Sequence, residues 1–97
     1  MRFRVYVLRC ADGSYYVGHT DDVARRLAEH EAGEGGRHTS ARRPVTLVYS
    51  EEFSSREGAT DRERQIKGWS RKRKEALMRR DRAEVSRLAK GRARRSG

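Results

Sequence analysis

Alternating apolar and polar positions predict a hairpin near the start of the chain. Apolar side chains fall on every second residue of Phe3–Arg9, which is the period of a strand. Tyr15–Thr20 is predicted as the returning strand, because it is short, rich in aromatic and β-branched residues and preceded by a turn at residues 11–13, Ala-Asp-Gly. A three-residue loop with Gly13 in the left-handed region is favoured, because it would pair the two strands with a consistent alternation of faces.

This loop fixes which side chains share a face of the sheet. Leu8 would lie opposite Tyr16, and Tyr6 opposite Gly18. The other face is plainly apolar and carries Phe3, Val5, Val7, Tyr15 and Val17. Because Gly18 has no side chain, we expect open space above the sheet beside Tyr6.

The rest of the chain has the spacing of helices, with one further strand. A first helix is predicted over Asp22 to about Ala32, capped by Thr20 or Asp21. Residues 33–44 read as a loop, and Val45–Tyr49 as a third strand. The next helix is capped by Ser54 and runs to Lys67, and it is followed by Ser70–Arg80 and a short last helix behind Asp81. The order ββαβααα predicts an α+β domain, with a small, mainly antiparallel sheet flanked by helices.

Composition adds a strong and uneven charge. Of the 97 residues, 24 are Lys or Arg and 14 are Asp or Glu, which makes the formal net charge +10. Residues 1–53 hold eight basic and eight acidic side chains, whereas residues 54–97 hold sixteen and six. The excess therefore lies in the second half, and it favours a polyanion such as nucleic acid as the partner. We expect one domain over residues 1–89 and a disordered basic tail over residues 90–97.

Several classes of protein are disfavoured by the same composition. No apolar run is long enough for a membrane span, and Met1 leads directly into Arg2, Phe3 and Arg4, which is unlike a secretory signal. The one cysteine, Cys10, excludes an internal disulfide and a Cys-x-x-Cys zinc site. A cytoplasmic protein without a membrane or small-molecule cofactor, as a monomer or weak dimer, is the expectation.

Glu63 is the most informative acidic residue. It lies four residues after Ala59 and three before Ile66, so it points where the apolar stripe of its helix points. An inward carboxylate is costly unless it is paired or binds a cation. A salt bridge to a nearby basic residue and a divalent metal site are the two interpretations, and the first is the commoner arrangement.

Arg26, His30 and the two tyrosines of the hairpin are further candidates. Arg26 and His30 are four residues apart on one helix, which suits either a half-buried histidine or a phosphate clamp with a proton shuttle. Tyr6 and Tyr16 share a face, which is more often packing than chemistry. A phenol with a pKa of ~10 is a poor base at neutral pH unless a cation lowers it.

Taken together, these residues resemble the GIY-YIG nuclease superfamily, in particular its small stand-alone bacterial members. The first motif appears as Val5-Tyr6-Val7, with valine in place of the family's glycine, and the second as Tyr16-Val17-Gly18. Arg26, His30 and Glu63 follow in the family's order, and the resemblance extends from Arg2 to about Leu77. The family's late asparagine has no counterpart, because the chain contains no asparagine.

The resemblance implies a three-stranded antiparallel sheet and an enzyme, an endonuclease that hydrolyses DNA with one Mg²⁺ or Mn²⁺. It implies that Glu63 holds the metal, that Arg26 stabilises charge on the phosphate and that Tyr16 assists there. Either Tyr6 or His30 would be the general base, and Gly18 would be structural. We expect cleavage directed by DNA structure rather than sequence, in repair or recombination.

Nucleic-acid contacts are expected from the cationic residues of the loop, the end of the third helix and the helix after it. They are Arg37, His38, Arg42, Arg43, Lys67, Arg71, Lys72, Arg73 and Lys74. The alternatives are a non-catalytic module that binds DNA or RNA, and a basic structural protein. The inward Glu63 favours the enzyme, because a pure binding module has no use for a charge that repels phosphate.

Overall fold

A computed structural model describes residues 2–96, with the side chains of residues 2–89. The elements are β1 (Phe3–Arg9), β2 (Tyr15–Thr20), α1 (Val23–Glu31), α2 (Arg37–Ser40), β3 (Thr46–Phe53), α3 (Arg56–Lys67), α4 (Arg71–Met78) and α5 (Arg82–Ser96). The chain divides into two compact units, Met1–Lys67 and Gly68–Gly97. The prediction of one domain over residues 1–89 stays a prediction.

The first unit is built on an antiparallel sheet with the order β2-β1-β3, so the predicted three-stranded α+β fold is confirmed. The turn before β2 has the predicted three-residue form: the Cys10 amide donates to the Ser14 carbonyl at 2.8 Å, and Gly13 has φ 86°. Tyr6 therefore pairs with Gly18, and Leu8 with Tyr16. The hairpin register follows from this turn.

Both faces of the sheet are covered. The face of Val5, Val7 and Val17 is buried, and α3 packs on it with Ala59 and Ile66. The other face forms an apolar cluster of Tyr6, Leu8, Cys10 and Val45, with Tyr16 and Leu27 packed against it. The sheet thus separates two buried layers, and the tyrosines belong to the layer beneath α1.

The expectation of open space at Gly18 is wrong. A Cβ built on Gly18 would lie 2.7 Å from the Tyr6 hydroxyl oxygen, 2.9 Å from Tyr6 Cζ and 3.1 Å from Tyr16 Cε2. The Tyr6 ring leans across the sheet into the space that a side chain at Gly18 would need. The glycine is required for this close approach rather than for an opening.

Several boundaries also differ from the predicted ones. Asp22, rather than Thr20 or Asp21, caps α1 by accepting from the Arg25 amide at 3.0 Å, and Ser55, rather than Ser54, accepts from the Gly58 amide at the start of α3. The predicted loop contains the short helix α2. β3 runs beyond Tyr49 to Phe53, because it continues to pair with β1 past a bulge. Such ends depend on tertiary pairing, which the local pattern does not contain.

The second unit consists of α4 and α5. Ser70 caps α4 by accepting from the Arg73 amide at 3.2 Å. Asp81 accepts from the Glu84 amide at 3.1 Å, as predicted. α5 extends beyond the short helix that the sequence predicts. The side chains of the predicted tail, residues 90–97, lie outside the described residues, and its disorder stays a prediction.

Gly18→Ala should destabilise the protein by roughly 1–3 kcal/mol, because the added methyl overlaps the Tyr6 ring. Gly58→Ala is the matched control. Its methyl would lie 3.2 Å from the Ser55 hydroxyl oxygen and 3.4 Å from Phe53 Cδ1, with no contact under 3.0 Å, in helix α3, where alanine is favoured over glycine by ~1 kcal/mol. Urea unfolding of both variants checks this, and an equal effect at the two glycines would contradict the close packing at Gly18.

Candidate active site

A buried hydrogen-bonded chain links the sheet to the helices above it. His30, the eighth residue of α1, is fully buried. Its Nε2 lies 3.0 Å from the Tyr6 hydroxyl oxygen, and its Nδ1 lies 2.8 Å from Thr39 Oγ1 on α2. Tyr6 and Thr39 are also buried. Among the described side chains, no buried nitrogen or oxygen lacks a hydrogen-bond partner, as burial of polar groups demands.

Aromatic contacts hold the imidazole in place. The Tyr16 ring meets His30 edge-on with centroids 5.0 Å apart, and the Tyr6 ring does so at 5.9 Å. On the opposite side, a Cβ built on Gly35 would lie 2.0 Å from His30 Nδ1. The imidazole therefore has its rotamer fixed on both sides.

Burial keeps Tyr6 and His30 neutral near pH 7. Desolvation raises the pKa of Tyr6 to about 12, although a hydrogen bond from Arg26 opposes the rise. Desolvation also lowers the pKa of His30, and the positive charge of Arg26 lowers it further. Tyr6 is thus a phenol that keeps its proton, beside an imidazole able to accept one.

Arg26 lies at the edge of this buried group. Its guanidinium donates to Glu29 Oε1 at 2.8 Å, and this hydrogen bond raises the Arg26 pKa. The neighbouring hydroxyls of Tyr6 and Tyr16 raise this pKa further. Because the side chain is 30 % exposed, its charge is available to a phosphate at the surface.

Glu63 is held by a lysine and a histidine. Lys67 Nζ lies 2.6 Å from its Oε2, and His19 Nδ1 lies 2.5 Å from its Oε1. Burial opposes ionisation of Glu63, yet the hydrogen bonds from Lys67 and His19 outweigh it and lower the pKa. The negative charge of Glu63 also reaches Tyr6, whose pKa it raises. The salt-bridge interpretation of Glu63 thus has a structural counterpart.

Within the described residues, no group of three or more His, Cys, Asp and Glu side chains is placed to hold a metal ion. A divalent ion at Glu63 would therefore be bound by one carboxylate, with water and phosphate oxygens completing its shell. Such a shell is ordinary for Mg²⁺, which keeps most of its water and often uses one or two carboxylates.

Most of the loop residues that were predicted to contact nucleic acid make hydrogen bonds within the protein that hold the loop in place. His38 Nε2 lies 3.0 Å from Ser14 Oγ, and Arg42 donates to Asp12 Oδ2 at 2.8 Å. Arg43 donates to the carbonyls of Ser40 and Glu31. Arg37 is exposed. Some of this positive charge therefore fastens the loop to the hairpin and to α1, and contact with nucleic acid stays a prediction.

The cationic residues of α4 also differ in what they contact. The Arg73 guanidinium stacks over the Trp69 ring at 3.8 Å and donates to the Val85 carbonyl, which ties α4 to α5. Arg71 pairs with Glu75 at 3.1 Å. Lys72 and Lys74 flank Arg73 on the same helix. These two lysines are the better candidates for contact with a phosphate backbone.

Three residues of the site were missed by the sequence analysis. His19 could have been found, because strand alternation places it on the face of Val5 and Val17, where α3 packs. Thr39 and Gly35 lie in a segment without periodicity, so no signal marked either of them.

Comparison with known proteins agrees with the geometry. Residues 2–76 match the family described as the GIY-YIG catalytic domain. A UPF0213 protein of Halobacterium salinarum is 55% identical over 73 residues, covering 75% of this chain and 95% of the relative. One from Bacillus pumilus is 49% identical over 70 residues, covering 72% and 71%. The solution NMR structure of a UPF0213 protein from Bacillus halodurans is 42% identical, with a TM-score of 0.55 over 84% of this chain and 86% of that one.

Acidification should weaken the fold through His30. Its folded pKa is lowered, so the unfolded chain binds the proton more readily and stability falls as the pH drops below the unfolded value of about 6.5. The slope contributed by one such group is at most about 1.4 kcal/mol per pH unit. Urea unfolding between pH 7.5 and 5 should show a smaller slope for His30→Gln than for the wild type, and identical slopes would contradict a neutral buried His30.

Proposed function

We propose that the chain, which belongs to the family of GIY-YIG catalytic domains, is a metal-dependent endonuclease that hydrolyses DNA phosphodiester bonds. One observation carries the proposal: the phenol of Tyr6 is hydrogen-bonded to a neutral, buried His30, and the positive charge of Arg26 acts on the same phenol. This arrangement joins a proton acceptor to a cation at the surface of the sheet. By analogy with the family we also propose a role in repair or recombination. The proposed location in the cytoplasm rests on the composition.

Tyr6 and His30 together supply the general base. As the attacking water loses a proton to the Tyr6 oxygen, the phenolic proton passes to His30 Nε2, 3.0 Å away. Tyr6 thus never needs to become a phenolate, which its raised pKa opposes. The neutral imidazole has the free lone pair that this transfer requires.

Arg26 stabilises the charge that develops on the phosphate oxygens. Its pairing with Glu29 holds the guanidinium before substrate arrives. A donor held in advance costs little reorganisation at the moment of reaction. Tyr16 acts beside it by orienting the ring of His30.

Glu63 is the residue that would hold Mg²⁺ or Mn²⁺. It is ionised at neutral pH, and each of its oxygens has one lone pair engaged by His19 or Lys67 and a second one free, so the donor fits a cation. A bound divalent ion acts as a Lewis acid on a phosphoryl oxygen. His19 and Lys67 hold the carboxylate in one orientation.

A non-catalytic module that binds DNA or RNA is the second candidate. It is favoured by the ion pair of Glu63 with Lys67 and its hydrogen bond with His19, which satisfy the carboxylate without any metal. In such a module Tyr6 and His30 would serve packing alone. The two candidates differ in whether Glu63 and Tyr6 affect cleavage.

Glu63→Gln should abolish Mg²⁺- or Mn²⁺-dependent cleavage, because a neutral amide is a poor ligand for a hard cation. DNA affinity should be equal or higher, since a negative charge near the phosphate is removed. Glu57→Gln, an exposed position on the same helix, is the matched control and should cleave like the wild type. Cleavage that survives in Glu63→Gln would remove this residue from the metal site.

Tyr6→Phe should lower the single-turnover cleavage rate by ~10²–10⁴, the usual contribution of a general base. It should also cost ~1–3 kcal/mol of stability, because His30 Nε2 loses its buried partner. The neighbouring change Tyr15→Phe is the control for loss of a strand tyrosine hydroxyl. Quenched-flow cleavage at saturating enzyme separates the rate from binding, and an unchanged rate in Tyr6→Phe would exclude the Tyr6–His30 base.

A further inference from the structure

Thr39 is a fully buried polar residue that belongs to none of the sequence motifs of the family. It lies on the four-residue helix α2, and its Oγ1 is 2.8 Å from His30 Nδ1. α2 has little apolar material of its own. The contact is therefore the main polar tie between α2 and the buried imidazole.

The hydrogen-bond partners of Tyr6 determine where the hydrogens lie. Tyr6 is buried, so its phenolic hydrogen has to be donated to an acceptor inside the protein, and the Arg26 guanidinium beside it can only donate. The phenolic hydrogen then points to the other partner, His30 Nε2, which accepts it at 3.0 Å. A neutral imidazole with an accepting Nε2 carries its hydrogen on Nδ1, and that hydrogen is donated to Thr39 Oγ1.

We propose that Thr39 is a positioning residue that fixes His30 in the tautomer with hydrogen on Nδ1, leaving Nε2 to accept the proton from Tyr6. The opposite tautomer would point an N–H at the Tyr6 oxygen. The phenolic proton would then have no acceptor on His30. The choice of tautomer thus decides whether the pair can act as a base.

Gly35 limits which side chains can reach His30 Nδ1. Because a Cβ there would lie 2.0 Å from Nδ1, only a residue without a side chain allows the loop to pass while Thr39 reaches the ring. The loop therefore brings one hydroxyl to Nδ1 and excludes other side chains. The tautomer assignment rests on the geometry alone, whereas its effect on cleavage rests on the proposed function.

The test is the ¹⁵N chemical shifts of the His30 ring in the whole protein, from multiple-bond ¹⁵N–¹H spectra at pH 7.5. The wild type should show a protonated Nδ1 and an unprotonated Nε2. Thr39→Val keeps the shape but removes the hydroxyl, and it should shift the ring towards a tautomer mixture. Thr39→Ser, which restores the hydroxyl, should return the wild-type spectrum.

Cleavage supplies the second readout. Thr39→Val should lower the single-turnover rate at least about tenfold, part of the ~10²–10⁴ that a general base contributes, with DNA affinity unchanged. Thr39→Ser should recover most of the rate.

Hydrogen on Nε2 in the wild type would overturn the proposal, and this holds even if Thr39→Val does not fold. A Thr39→Val protein with the wild-type spectrum and rate would overturn it too. If the wild type shows the expected tautomer but cuts no DNA, the proposed function fails and the tautomer assignment stands.

Discussion

The burial of Tyr6 and His30 as one hydrogen-bonded pair is the constraint on which the first unit depends. An imidazole and a phenol removed from water cost free energy unless their polar atoms are paired. The pairing holds α1 over β1, while Thr39 brings the following loop onto the same ring. Gly18 and Gly35 are small because the two rings take up the space beside them. The chemistry of the site and the packing of the fold are therefore the same set of contacts.

Charge is arranged around this neutral pair rather than within it. Arg26 lies at its edge, and Glu63 acts on Tyr6 through its field while being held by His19 and Lys67. This separation leaves an uncharged acceptor inside and places charges near the surface. A phosphate would meet the charges first. Such a division suits phosphodiester hydrolysis, which needs positioning and charge stabilisation more than covalent chemistry.

Local chemistry was enough to predict the hairpin and the residues that it aligns. Gly13 sets the turn, the turn sets the register, and the register brings Tyr6 to Gly18 and Tyr16 to Leu8. The inward direction of Glu63 also followed from helical spacing. The direction in which the Tyr6 ring leans did not, because it depends on the distant His30. Thr39 lies in a loop without periodicity, so only the folded chain reveals it.

The roles of the individual cationic residues also could not be predicted from the sequence. A count of charges predicts a polyanion partner, yet it does not distinguish Arg42 and Arg73, which hold structure, from Lys72 and Lys74.

The central claim is that the paired phenol and imidazole serve hydrolysis. A cleavage screen with Mg²⁺ or Mn²⁺ over duplex, flap, branched and single-stranded DNA tests it most directly. We expect at least one of these substrates to be cut. Tight binding to some of them without cleavage of any would contradict a role of the pair in hydrolysis.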